Sequence, residues 1–308
     1  MIGEQVVITG GAGFIGSHLA ERLIAEDYSV SIVDDLSTGN RDWVPEDADL
    51  FDRDLRNSEA LDDVLSSNVN YVFHLAASKA VNTDHPREQF EKNTEMMYNV
   101  LEAVSRHEIR NVVYTSSSTV YGEAPRPTPE DFAPLEPISV YGASKLANES
   151  LCSAHAHSDG VQVYLFRFAN IVGPRLRGAV IPDFIEKLKS DPHELQILGN
   201  GLQQKSYMYI SDCLDAMLAA IEGADDTVNT FNLGTQTTTS VNQIADIVCG
   251  ELGLDPEYEY TGGDRGWDGD VPKMRLSIEK LSDLGWQPEH ESDEAVRKAT
   301  RDLIAELQ

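Results

Sequence analysis

Residues 5–18 run Gln-Val-Val-Ile-Thr-Gly-Gly-Ala-Gly-Phe-Ile-Gly-Ser-His, with glycine at Gly10, Gly11, Gly13 and Gly16. Val6, Val7 and Ile8 read as a buried parallel strand, and Phe14, Ile15, Leu19, Leu23 and Ile24 follow with a helical period. The chemistry offered by strand, glycine turn and helix in this order is anion binding. Small residues let the backbone turn tightly and approach a pyrophosphate, and the helix start presents unpaired N–H groups and the positive end of its dipole. Asp34 closes the next strand, about 20 residues beyond the glycines, where a carboxylate accepts from both ribose hydroxyls of an adenosine. Its charge would repel a 2′-phosphate, so the pattern points to NAD rather than NADP. Asp35, the next residue, is the candidate cap of the turn that runs to Gly39.

A second group of candidates lies in mid-chain. Tyr141 and Lys145 are four residues apart, so on a helix one stands above the other on a single face. A hydroxyl cluster, Ser116, Ser117, Ser118 and Thr119, ends the apolar run from Asn111 to Thr115. Tyr71–Leu75 reads as a fourth strand that ends in Ala76 and Ala77, small residues that leave room for a cofactor in the crevice of an open α/β sheet. His74 precedes that strand end and reads as packed or capping rather than catalytic. Asp54 admits two readings that spacing does not separate: a cap for a helix over 58–65, or a contact to the adenine edge.

These groups need a scaffold of alternating strands and helices. Strands are expected at 29–33, before Asp52, at 71–75, 111–115 and 161–168, with helices at about 14–27, 58–65, 87–106 and from Val140. A Gly/Pro break follows at 170–175. Shorter elements at about 180–189, 195–198, 212–222, 228–233 and 240–253 come next, then a Gly- and Asp-rich loop at 262–270 and a closing helix at about 293–307. The expectation is a doubly wound parallel sheet over residues 1–174 and a smaller α/β substrate lobe over 175–308, with some crossing of the chain between them. No internal repeat is visible.

Composition sets the surroundings. The chain has 52 acidic and 24 basic residues, a net charge of −28 over 308 residues. The acids are spread along the whole chain, as in the acid-coated proteins of salt-loving organisms, where salt screens self-repulsion. Such a surface argues against nucleic acid and anionic membranes as partners. There is no apolar run of membrane-spanning length and no signal peptide ahead of the first strand, so a cytoplasmic location is expected. Cys152, Cys213 and Cys249 are far apart and odd in number, which suits a reducing compartment and no disulfide framework. The histidines are scattered, and no metal is expected.

Together, Thr9-Gly-Gly-Ala-Gly-Phe-Ile-Gly16, Asp34, Ser116-Ser-Ser-Thr-Val-Tyr-Gly122 and Tyr141-x-x-x-Lys145 resemble the extended short-chain dehydrogenases/reductases, most of all their nucleotide-sugar epimerases. The resemblance covers essentially the whole chain and implies a Rossmann domain binding NAD, a carboxyl-terminal lobe for a nucleotide sugar, most simply a UDP-hexose, and a homodimer. It implies Gly10, Gly13, Phe14, Ile15, Gly16, Asp34, Asp35, Asp54, Leu55, Leu75, Ala76, Ala77, Lys79 and Asn93 around the cofactor, with Tyr141 and Lys145. It implies Ser117, Tyr141 and Lys145 as the catalytic set, and Ser118, Thr119, Asn170, Val180, Ile197, Lys205, Arg265 and Asp270 on the sugar-nucleotide side. Two departures stand out. Lys205-Ser-Tyr replaces a run that opens with arginine in many such epimerases, and lysine lacks the bidentate fork of a guanidinium. Arg265 lies upstream of Trp267-Asp-Gly-Asp270, displaced from its usual place in the closing loop.

The implied reaction starts by taking a proton and a hydride from a sugar carbinol. A free phenol ionises near pH 10, and lowering that by about three units takes about 4 kcal/mol of preferential stabilisation of the phenolate. One unit charge about 4 Å away at an effective dielectric near 20 supplies about that much. Lys145 and a cationic nicotinamide are the expected sources, with Ser117 passing the proton. Dehydratases and decarboxylases of this kind carry carboxylic acids just after the serine. Ser118 and Thr119 cannot act as such acids, which favours epimerisation over elimination. The alternatives are a keto-sugar reductase or a dehydratase and, after them, an NAD-binding sensor without catalysis.

Overall fold

The computed structural model describes residues 4–79, 85–267 and 269–307. The first half of the chain alternates β1 (Gln5–Thr9), α1 (Phe14–Ala25), β2 (Ser29–Asp34), β3 (Asp49–Asp52), β4 (Val69–His74), α2 (Pro86–Arg106), β5 (Asn111–Ser117), α3 (Val140–Asp159) and β6 (Gln162–Phe168). There follow β7 (Asn170–Val172), α4 (Val180–Ser190), β8 (Glu194–Ile197), β9 (Gln204–Lys205), β10 (Tyr207–Tyr209), α5 (Ile210–Gly223), β11 (Val228–Leu233), β12 (Thr239–Ser240) and α6 (Val241–Leu252). The chain ends in β13 (Glu257–Tyr260), β14 (Lys273–Met274), α7 (Glu279–Asp283) and α8 (Ser292–Leu307). None of these helices is long and apolar enough to cross a membrane.

The main sheet is parallel and has the strand order β11-β6-β5-β4-β1-β2-β3. Its central strands are apolar on both faces, which fits a sheet covered by helices on either side: Val6, Val7 and Ile8 of β1 are at most 1% exposed. Strand order reverses between β1 and β4, and the crevice at the carboxyl ends of these two strands is the place where open α/β sheets bind ligands. One helical layer is α2 against α3, whose apolar faces (Met97, Val100, Leu101 and Val104; Cys152 and Ala156) share a core with β1, β4, β5 and β6.

One expected element differs. Residues 58–64 form a run of turns, not the helix expected over 58–65. Successive N–H groups reach back three residues, from Ala60 to Asn57, from Asp62 to Glu59 and from Val64 to Leu61, and only Leu65 bonds four back, to Leu61. The Asn57 side chain accepts from the N–H of Glu59 and so holds the start of the run in a turn.

The chain forms two compact units. The first comprises the residues up to Ser117 with Val140–Phe166 and Ala224–Thr230, and the second comprises Ser118–Ser139, Arg167–Gly223 and Phe231 onward. In the second unit α4, α6 and α8 pack together, and three small sheets pair β7 with β10, β8 with β13, and β9 with both β12 and β14. Helix α6 is fixed at both ends. Ser240 and Gln243 form a reciprocal capping box, and Gly253 takes the left-handed conformation, φ 69°, just past the last turn.

Candidate active site

The glycine turn sits at the sheet's switch point. Gly10 has φ 72°, its N–H bonds to the Val33 carbonyl over 2.9 Å, and a Cβ built on it would lie 2.5 Å from the backbone nitrogen of Ala76. A Cβ on Gly16 would lie 2.3 Å from the carbonyl oxygen of Gly10, so only glycine lets α1 start this close to the turn. Gly13 is the N-cap of α1 and brings no side-chain cap, which leaves the N–H groups around Phe14 and Ile15 for another acceptor.

Asp34 ends β2, 8% exposed. Its Oδ2 accepts from the Ala12 N–H (3.0 Å) and its Oδ1 from the Leu36 N–H (2.9 Å), which leaves a lone-pair direction on each oxygen. Burial raises its pKa, and the two N–H bonds oppose that. Asp35 does cap the turn, accepting from the N–H and hydroxyl of Ser37 at 3.0 and 2.6 Å. Asp54 caps no helix. It accepts from the Arg56 N–H at 2.9 Å and pairs with that guanidinium, which holds its carboxyl below the usual range. Leu55 is buried beside it in the core.

After β4 come Leu75, Ala76 and Ala77, all partly exposed, and then exposed Lys79. Asn93, buried on α2, clamps the intervening backbone: its Oδ1 accepts from the Ser78 N–H (2.7 Å) and its Nδ2 donates to the Ser78 carbonyl (3.1 Å). The same Nδ2 donates to Ser144 Oγ (3.1 Å), which couples this loop to α3.

Helix α3 does place Tyr141 and Lys145 together. Lys145 is 3% exposed, and its ammonium donates to the Thr115 carbonyl over 2.7 Å, two residues before Ser117 at the end of β5. Its Nζ stands 5.7 Å from the Tyr141 ring centre and 4.9 Å from that of Tyr114. Burial pushes Lys145 down to about 8, with the neighbouring Glu149 carboxylate acting against it. Burial pushes the Tyr141 phenol up to about 12. The phenol thus begins higher than the free tyrosine expected from residue type, and bringing it to neutrality takes about 7 kcal/mol rather than about 4. Sequence reasoning placed Ser116 in the hydroxyl cluster without a partner, and missed Thr115, Asn148 and Glu149. The spacing of four between Lys145 and Glu149 was the available signal for the last.

In the second unit Lys205 donates to Asp270 Oδ1 over 2.5 Å and lies 5.0 Å from the Trp267 ring centre. The Asp270 carboxylate, 3% exposed, also accepts from the Gly266 N–H. Arg265 donates to the Asp270 carbonyl and pairs with Glu123, so both expected cations are already engaged by acidic or carbonyl oxygens. Asn170 on β7 donates to the Ser206 carbonyl (3.1 Å), Val180 opens α4, and Ser118 and Thr119 lie in a single 3-10 turn. Ile197 is fully buried, so its side chain serves the packing of β8. Asp212, Glu289 and His290 bring potential donor atoms within 4.8 Å of one another. Asp212 already accepts from the backbone N–H of His290 over 3.0 Å, which ties α5 to the segment before α8.

Residues 6–234 match the NAD dependent epimerase/dehydratase family. The chain belongs to this family. It is similar to a UDP-galactose 4-epimerase of known crystal structure, 43% identical, with a TM-score of 0.91 over 99% of this chain and 100% of that one. The UDP-glucose 4-epimerase of Thermotoga maritima, solved with UDP-glucose, is 31% identical with a TM-score of 0.90, again over 99% and 100%. The UDP-glucuronic acid 4-epimerase of Bacillus cereus, solved with UDP-glucuronic acid and NAD, is 26% identical with a TM-score of 0.87 over 99% and 100%. The residues of the first unit fit the family's cofactor: a Cβ-free cradle at Gly10 and Gly16, an uncapped helix start and a carboxylate at the end of β2 are what a pyrophosphate and an adenosine ribose require.

His74 is the structural support that this epimerase/dehydratase chain buries behind Lys145. It is 1% exposed, bonded to Thr9 Oγ1 through Nδ1 (2.7 Å) and stacked on Tyr114 at 5.8 Å. Burial, and then the charge of Lys145, push its pKa down to about 3. The unfolded chain binds this proton near pH 6.5 and the folded one does not, so its contribution to stability is lost as pH falls from about 6.5 toward 3. From pH 7.5 to 5 the loss from this residue is about 2 kcal/mol. Urea unfolding of wild type and His74→Gln should therefore show a gap that narrows by that amount at pH 5. A gap independent of pH contradicts a neutral buried imidazole.

Proposed function

We propose that the chain catalyses reversible inversion at C4 of a UDP-hexose, with UDP-glucose and UDP-galactose as the leading pair. The observation that carries the reading is the pairing of Tyr141 with a buried Lys145 whose ammonium donates to the Thr115 carbonyl near the end of β5. Tyr141 takes the proton of the sugar's C4 hydroxyl. The chemistry that NAD supplies is acceptance of the C4 hydride and its return. Lys145 stabilises the phenolate and Ser117 holds the reacting oxygen in line with it. The flat 4-keto sugar then turns and presents its other face, for which the small side chains of Ala76 and Ala77 leave room. Ser118 and Thr119 offer no carboxylic acid to expel a hydroxyl, which favours inversion over elimination. Relatives named for UDP-glucose, UDP-galactose and UDP-glucuronic acid support a UDP-sugar as the class. On the sugar-nucleotide side we assign Lys205 and Arg265 to the diphosphate, which would draw them from Asp270 and Glu123.

Asp34 is assigned to the adenosine ribose. Asp34→Ala should weaken NAD by about 1–3 kcal/mol in a binding titration and leave NADP much less affected, since a charged hydrogen bond is lost only for the former. Equal affinity of the wild type for the two cofactors contradicts the assignment.

The activity is tested with UDP-glucose, UDP-N-acetylglucosamine and UDP-glucuronic acid, catalytic NAD and high salt, with the C4 epimer followed by NMR. Tyr141→Phe should lose roughly 10²–10⁴ in turnover and still bind NAD, as expected for removing a proton-transfer group. NADH accumulating in step with substrate loss would show a dehydrogenase, and NADH-dependent loss of a keto sugar without epimerisation would show a reductase.

A further inference from the structure

Glu149 stands one helical turn beyond Lys145, so the two share a face of α3, and both are buried, at 5% and 3% exposure. A carboxylate taken out of water is costly unless hydrogen bonds and an opposite charge compensate. Glu149 has such a bond: Ser116 Oγ donates to its Oε1 over 2.5 Å. Ser116 precedes Ser117, so this bond ties the end of β5 to α3 one turn from the ammonium.

The titratable groups around Lys145 come from three elements of this unit. Tyr141, Glu149 and Cys152 lie on α3 itself, Tyr114 on β5, and His74 on β4 behind the Tyr114 ring. α2 turns an amide, Asn93, toward this part of α3. Without the positive charge of a bound nicotinamide, burial keeps Tyr114, Tyr141 and Cys152 protonated and His74 neutral at pH 7. Among these neighbours Glu149 is the source of negative charge.

We propose that Glu149, anchored by Ser116, is a positioning residue that keeps Lys145 an ammonium beside Tyr141 across the working pH range. It acts through Lys145 and touches neither sugar nor cofactor. The inference rests on the reading of Tyr141 and Lys145 as the proton-transfer pair, yet its electrostatic content is a property of the chain alone.

The test follows the ionisation of Lys145 directly, by NMR of full-length protein carrying ¹³C-labelled lysine. The chain has nine lysines, and the Lys145 signal is the one lost in Lys145→Arg. Glu149→Gln removes the charge and keeps a partner for Ser116. It should lower the Lys145 midpoint by about one pH unit. Glu149→Met, a second neutral variant, should do the same and serves if the first does not fold. Glu149→Asp keeps the charge and should leave the midpoint near wild type. In turnover assays the basic limb of the kcat profile should move with the midpoint. A residue with only a packing role would lower the melting temperature in all three variants and leave the midpoint unmoved, and that result overturns the proposal. If wild type turns over no UDP-sugar but the midpoint shifts, the proposed activity fails and the role of Glu149 stands.

Discussion

An ammonium group held inside the protein, that of Lys145, sets the terms for everything near it. Withdrawing such a cation from water costs several kcal/mol, and a single hydrogen bond does not offset that. The fold surrounds it with a carbonyl from Thr115, the face of Tyr114 and, one turn along its own helix, the carboxylate of Glu149. Each of these depends on β5 running inside a parallel sheet, next to its central strand, and on α3 packing against it. A shift of α3 by one residue would turn Lys145 and Glu149 off that face together. Behind Tyr114, the neutral imidazole of His74 fills the space without adding a second positive charge.

The same constraint links the helix of Tyr141 and Lys145 to the loop after β4. Asn93 holds the loop after β4 with one end of its amide and Ser144 of α3 with the other, and the Asn93 carbonyl accepts from Asn148, which also donates to Tyr114. The backbone that passes Gly10 and the helix that carries Tyr141 are thus set by one network of buried amides. A dinucleotide bound at the switch point would share a rigid frame with the phenol on α3, which is what a reaction needing alignment to within a fraction of an ångström requires.

Much of this was legible in the sequence, for physical reasons. Gly10 and Gly16 are positions where a side chain has no room, Asp34 closes a strand, and Tyr141 and Lys145 obey the helix period, all of them local facts. Other features join distant residues and leave no periodic trace. His74 meets Thr9, Lys205 meets Asp270, and each pair is separated by 65 positions. The partial burial of Tyr141, which raises its pKa, is a property of packing rather than of residue type. The helix expected at 58–65 failed for a local reason: Asn57 and the short i to i+3 bonds after it hold turns where composition also allowed a helix. Glu149 falls between these cases. Its spacing from Lys145 is visible, but nothing in the pattern says that this face of α3 is turned inward.

In the proposed reaction, hydride leaves C4 of the sugar and returns to the same carbon within one occupancy of the site. The direct measurement uses UDP-glucose labelled with deuterium at C4, with unlabelled NAD present and the product recovered for NMR and mass analysis. The expected product is UDP-galactose that keeps the deuterium at C4, with none in solvent and none in the cofactor pool. Product with hydrogen at C4, or label accumulating in NADH, would contradict the proposed reaction.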